Sequence, residues 1–126
     1  MYTLAVSRAF EARHYLVGGD WGPENEPHAH AYRAEVRLTS DQLDRHGYIV
    51  DLEVLEALLD RIVVRYRGHL LNDLPEFAGH NPSIEHFSRC FFDQLVEGLG
   101  RERFSAIEVR LWETTEAWAA YRERFR

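Results

Sequence analysis

Cysteine is almost missing from this chain: 126 residues hold one, Cys90. A single thiol excludes an intrachain disulfide and suits a reducing compartment. Long apolar runs are missing too, and no stretch approaches the roughly 18 residues that cross a bilayer. The opening Met1-Tyr2-Thr3-Leu4-Ala5-Val6-Ser7-Arg8 lacks a basic segment followed by an apolar one, so no secretion signal is expected. Positive charge is in deficit, with 15 Lys and Arg against 21 Asp and Glu, a net charge of −6. That balance argues against nucleic acid as a partner, because phosphate contacts need a basic face. No internal repeat or low-complexity stretch is present. The expectation is a cytoplasmic protein with neither a membrane nor a nucleic-acid partner. What the chain does have is 45% hydrophobic and 13% aromatic content, enough for the core of one domain over residues 1–126.

Periodicity divides the chain. Thr3 to Phe10 reads as a strand, continuing through Glu11-Ala12-Arg13. Tyr15 to Pro27, with Gly18, Gly19, Gly22, Pro23 and Pro27, reads as a loop. Ala29 to Leu38 is a second strand, Thr39 to Arg45 a polar connection, and Tyr48-Ile49-Val50 a short edge strand or strand tail. Leu52, Leu55, Leu58, Leu59, Ile62, Val63 and Tyr66 recur at helical spacing. Asp51 is a suitable N-cap for that helix and Gly68 its stop. Leu70 to Asn81 is a loop. Ser83 or Asn81 caps a second helix carrying Ile84, Phe87, Phe91, Leu95 and Leu99, which Gly98 or Gly100 ends. Ala106 to Trp112 and Ala117 to Tyr121 read as closing strands, although Trp118 and Tyr121 also fit a short helix. The order ββααββ predicts an α+β fold, a four-stranded antiparallel sheet with two helices on one face.

The chemistry concentrates in His14, His28 and His30. Residues two apart on a strand point the same way, so His28 and His30 aim two imidazoles at one place. They lie on the less charged face with Tyr32, Ala34, Val36 and Leu38, while Arg33, Glu35 and Arg37 form the charged face. An unpaired imidazole on a covered face is costly, and a ligand role accounts for it. If the first two strands pair, His14 reaches the same point. Three neutral imidazoles with an open fourth position form a catalytic zinc arrangement.

At these residues a family resemblance emerges. Phe10-Glu11-Ala12-Arg13-His14 followed by His28-Ala29-His30 resembles the zinc site of the 6-pyruvoyl-tetrahydropterin synthase and 6-carboxytetrahydropterin synthase family, F-x-A-x-H and then C-x-x-x-H-G-H. Asp51-Leu52 resembles its V-x-D-F, Leu71-Asn72-Asp73-Leu74-Pro75 its L-N-D-x-P, Asn81-Pro82-Ser83-Ile84-Glu85 its N-P-T-x-E, and Val109 to Thr114 its V-x-x-x-E-T. The likeness runs through nearly the whole chain in order. It implies the tunnelling fold, in which sheets join edge to edge into a barrel. The expected assembly is a homohexamer, a dimer of trimers, with active sites between subunits.

The resemblance also implies residue roles. His14, His28 and His30 would hold Zn2+. Glu113 would anchor a pterin, with Ser83 and Ile84 lining its pocket. Two departures stand out. Glu24 occupies the place of the family's catalytic cysteine, and is read as the proton acceptor, with Glu26 as the alternative if the loop register differs. The family's Asp-His pair falls on Arg67-Gly68, with His69 one residue away. His69, with Asp73 as partner, is read as the second acid–base group. His80 and His86 are weaker candidates, and His46 before Gly47 reads as a turn residue.

The implied activity is a zinc-dependent lyase on the side chain of 7,8-dihydroneopterin triphosphate. A 6-carboxytetrahydropterin synthase of the deazaguanine (queuosine) route comes first, as the commonest bacterial member. The alternative is formation of 6-hydroxymethyl-dihydropterin from dihydroneopterin for folate, because glutamate in place of cysteine resembles that branch. Another class is a family member that binds a pterin or metal without turnover. The plainest alternative is a structural oligomer without metal, which requires His14 to stand apart from His28 and His30.

Overall fold

The alternating N-terminal segment forms β1, Tyr2–His14, paired antiparallel with β2, His28–Ser40, from Tyr2 opposite Ser40 to His14 opposite His28. The computed structural model describes residues 1–125. After β2 the chain forms α1, Leu52–Tyr66, and α2, Ile84–Leu99. It returns as β3, Ala106–Trp112, and β4, Trp118–Arg124. The sheet order is β1-β2-β3-β4, every neighbour antiparallel. The expected ββααββ architecture is therefore present.

One face of the sheet carries Phe10, Ala12, Tyr32, Ala34, Val36, Leu38, Ile107, Val109 and Leu111, all buried. Both helices cover that face, α1 against β1 and α2 against β3 and β4. Phe87 of α2 is fully buried at the junction, with ring centroids 6.0 Å from Phe10, 5.3 Å from Tyr32, 4.8 Å from Tyr66 and 5.6 Å from Phe77. Burying a phenyl ring among four others stabilises the domain by about 2–3 kcal/mol from transfer alone. It also ties both strands, both helices and the 70–81 connection to one point.

The helix ends follow local chemistry. Asp51 caps α1, its carboxylate accepting from Glu53 N–H at 2.9 Å. Of the two candidates for α2, Ser83 is the cap, its Oγ accepting from His86 N–H at 3.1 Å, because the Asn81 amide is engaged elsewhere. Gly100, with φ +76°, ends α2, and Gly98 lies inside it.

Two expectations are corrected. Tyr48-Ile49-Val50 is not a strand: Ile49 C=O accepts from the Arg103 guanidinium at 3.0 Å rather than from a neighbouring strand, and Ile49 and Val50 turn into the core. The last strand runs to Arg124, because its register with β3 continues to Ala106 opposite Arg124. The same ladder makes Trp118 and Tyr121 strand residues. The two loops contain short 3-10 turns, Gly22–Asn25 in the first and Leu71–Asp73 and Pro75–Phe77 in the second.

Candidate metal centre

The β1–β2 register builds the centre. His14 pairs with His28, and Ala12 pairs with His30. His14 and His28 are thus direct neighbours, and His30 lies diagonally across from His14 over the small side chain of Ala12. Cross-strand and diagonal neighbours on one face are within side-chain reach. The three rings are mutually edge-on, with centroids 4.6 Å, 4.8 Å and 4.9 Å apart. One nitrogen from each ring lies within 4.8 Å of the others, close enough for one ion to touch all three. A structural oligomer with His14 set apart is overturned by this geometry.

Hydrogen bonds settle the tautomers. His14 Nδ1 lies 3.1 Å from Pro82 C=O and 3.1 Å from the Tyr32 hydroxyl, and His28 Nδ1 lies 2.8 Å from Glu26 C=O. A carbonyl can only accept, so both Nδ1 atoms carry a proton, which leaves Nε2 as the nitrogen through which each ring could bind a metal. Fixing a ring through its other nitrogen is how proteins orient metal-binding histidines. The Nε2 atoms of His28 and His30 are buried without a hydrogen-bond partner. Burial holds His14 well below the usual imidazole range, at about 4, with His30 and then His28 pressing the same way, so its ring is neutral at physiological pH. Pro82 and Glu24 act in the opposite sense.

Glu113 completes the cluster. Val109, Leu111 and Glu113 share the covered face of β3 and the residue after it, which carries the carboxylate back over β2. Its Oε1 lies 3.2 Å from His30 Nε2 and 3.6 Å from His14 Nε2. The neutral His14 ring and the Nε2 of His30 therefore face one carboxylate oxygen. Electron-rich groups so arranged call for a cation or a donated proton between them, so the residues fit a bound divalent metal with all-imidazole ligation.

The remaining candidates are placed as follows. Glu24 sits in the Gly22–Asn25 turn with an exposed side chain, near enough for its charge to reach His14. Glu26 contributes its carbonyl to His28, while its side chain is exposed. His69 is exposed outside the triad, its Nδ1 3.0 Å from Arg67 C=O and its own carbonyl accepting from Arg13 N–H at 2.9 Å. Asp73 is exposed in the Leu71–Asp73 turn and is not brought to His69. Ser83 and Ile84 open α2, adjoining Pro82, whose carbonyl reaches His14. His80 and His86 stack on each other at 4.7 Å beyond the triad, and His86 Nε2 bonds Glu76 C=O at 3.0 Å. His46 lies in a turn where its N–H bonds Asp44 at 2.8 Å. Cys90 is buried, and burial pushes its thiol up to about 11, so it is inert as a nucleophile.

Sequence reasoning missed the carbonyl of Pro82 and the hydroxyl of Tyr32 as supports of His14. Tyr32 had a signal, since it follows His30 by two on the same face. A main-chain carbonyl 68 residues away in sequence has none.

A sequence model of the 6-pyruvoyl tetrahydropterin synthase family matches residues 3–124. A curated relative, 6-carboxy-5,6,7,8-tetrahydropterin synthase of Bacillus subtilis, is 24% identical over 98% of this chain and 86% of its own length. Among solved structures, 6-pyruvoyl tetrahydropterin synthase of Caenorhabditis elegans superposes with a TM-score of 0.83 at 19% identity, covering 97% of this chain and 95% of that one. A Plasmodium vivax 6-pyruvoyltetrahydropterin synthase, in a form whose catalytic glutamate is replaced by alanine, gives 0.79 at 17% identity, covering 98% of both chains. With the family's match spanning both strand pairs and both helices, the chain belongs to the 6-pyruvoyl tetrahydropterin synthase family.

Proposed function

We propose that this protein is a zinc-dependent lyase that cleaves or removes the side chain at position 6 of 7,8-dihydroneopterin triphosphate, as a 6-carboxytetrahydropterin synthase does. The observation that carries the reading is the meeting of three imidazoles with Glu113, two of their Nε2 atoms buried and unpaired. The curated Bacillus subtilis relative bears the 6-carboxytetrahydropterin synthase name. Bound at His14, His28 and His30, the metal would act as a Lewis acid on the substrate's side-chain hydroxyls.

The residues divide the rest of the work. Glu24 takes the proton from the side-chain carbon next to the ring, at the place where the family carries cysteine. Glu113 holds the substrate by charge-assisted hydrogen bonds. Its distance of 3.2 Å from His30 supports a substrate contact next to the proposed metal ligands. Ser83 and Ile84 border the pocket at the start of α2. His69, with Asp73, remains the proposed second acid–base pair. Both side chains are exposed, and in the expected intersubunit arrangement they would act across a subunit boundary. The expected location is cytoplasmic.

Two other readings each rest on an observation. Glutamate in the place of the family's cysteine resembles the branch that forms 6-hydroxymethyl-dihydropterin, and a glutamate is the named catalytic residue of the Plasmodium vivax 6-pyruvoyltetrahydropterin synthase, which supports a catalytic Glu24. The exposure of Glu24 favours pterin binding without turnover. One experiment separates them: product analysis after zinc-loaded protein is incubated with dihydroneopterin triphosphate or dihydroneopterin, with Glu24→Ala alongside. A 6-carboxy product lost in the variant supports the first reading, and a 6-hydroxymethyl product the second. Pterin binding with no product would replace both by the binding-only reading.

A further inference from the structure

The loop that carries Glu24 leaves the sheet directly after His14. Two asparagines from the 70–81 connection stand along one edge of that segment. Asn72 Oδ1 accepts from Tyr15 N–H at 3.0 Å, and Asn72 Nδ2 donates to Tyr15 C=O at 3.0 Å. Asn81 repeats the pattern two residues on, with Oδ1 accepting from Val17 N–H at 2.8 Å and Nδ2 donating to Val17 C=O at 3.1 Å. Each amide has the donor and acceptor of a peptide group, so the pair imitates a neighbouring strand. On the other edge Leu16 N–H bonds Glu24 C=O at 2.9 Å, and Asn25 Nδ2 donates to Leu16 C=O at 2.9 Å. Pro82, next to Asn81, holds His14 through its carbonyl.

We infer that Asn72 and Asn81 are positioning residues, a two-amide clamp that holds Tyr15–Val17 and, through Leu16, the main chain of Glu24 in register with the metal triad. This deepens the proposed lyase reading and rests on it for the consequence at Glu24, but not for the clamp itself. One connection then sets both the metal ligand and the base. The side-chain hydrogen bonds of Asn72 and Asn81 all go to main chain, so they support the chemistry without taking part in it.

The test combines amide hydrogen exchange and kinetics on the zinc-loaded protein with Asn72→Ala, Asn81→Ala and the isosteric Asn81→Asp. The aspartate keeps the bond from Val17 N–H but sets an oxygen against Val17 C=O, so it tests the clamp with the least risk to folding. Exchange over residues 15–26 should rise roughly tenfold or more in each alanine variant, since two bonds of about 1 kcal/mol each are lost. Exchange in α1 and α2, and zinc content, should hold at wild-type values. Turnover should fall mainly in kcat, and the limb of the pH–rate profile that vanishes in Glu24→Ala should shift or flatten. Unchanged exchange over 15–26, in the alanine variants or in Asn81→Asp where those do not fold, overturns the clamp. Faster exchange with unchanged kcat overturns the positioning role. A wild-type protein that turns over no pterin defeats the lyase reading, and the exchange data then decide the clamp alone.

Discussion

His28 shows what a single side chain contributes here. Its Nδ1 proton is held by Glu26 C=O, its Nε2 is buried and unpaired, and its ring lies at the mouth of the β1–β2 ladder rather than in the core. His28→Ala should therefore abolish zinc retention, read as metal per chain after dialysis, while far-ultraviolet circular dichroism stays as in wild type. Unfolding of that variant would assign the metal a structural role. Glu76 makes a different kind of contribution. It accepts from Arg65 Nε at 2.7 Å, from Arg65 Nη2 at 2.6 Å and from the buried Tyr66 hydroxyl at 2.8 Å. The Arg65 guanidinium holds the Glu76 carboxyl down to about 2, from 4.5. A lowered value means that the stabilisation is complete above pH 4.5 and is lost as pH falls toward 2. Because the carboxylate remains partly in water, about 1–2 kcal/mol is the expected worth at neutral pH. Urea unfolding of Glu76→Gln should show that deficit at neutral pH and a narrowing gap in acid. A gap that stays constant with pH would refute this account.

At the scale of elements, Phe87 links the helical layer to the metal centre. It packs against Tyr32, and the Tyr32 hydroxyl supports His14. Phe87→Ala should cost about 3–5 kcal/mol in denaturant unfolding, because the cavity among four rings cannot collapse fully. It should also weaken zinc affinity, measured by competition with a chelator, because Tyr32 loses its backing. Loss of stability with unaltered zinc affinity would break the proposed link. The strands and helices were legible because their apolar residues recur with periods of two and of three to four. Tyr48-Ile49-Val50 was misread for a related reason: three β-favouring residues resemble a strand, but ladder partners are decided by tertiary placement. Burial of Ile49 and Val50 satisfied their apolar character without a ladder.

The whole molecule is built on a sheet whose outer strands are β1 and β4; residues 68–70 bond to β1 at Glu11 and Arg13, and the rest of that edge and β4 carry no further strand among the described residues. Unpaired edge groups favour strand addition, and the proposed barrel of six chains would supply it. Sedimentation or light scattering should give a mass near six times 14.8 kDa. Specific activity should fall when dilution dissociates the assembly, because the exposed His69 and Asp73 are proposed to act across a subunit boundary. A fully active monomer would remove their proposed role. Among the described residues, no helix is long and apolar enough to cross a membrane.

The order of elements, the covered face of β2 and the histidine pair two residues apart were determined by the sequence itself, because these are local patterns that any folded form must respect. Motif resemblance brought His14 and Glu113 into the same hypothesis. Only the tertiary structure decided that His14 faces His28 in register, that Pro82 and Glu26 carbonyls set the tautomers, and that Glu113 stands against the triad. It also gave Asn72 and Asn81 their main-chain partners, 57 and 64 residues away. Main-chain carbonyls and amides are the same at every position, so which of them meet is written in the folded path alone.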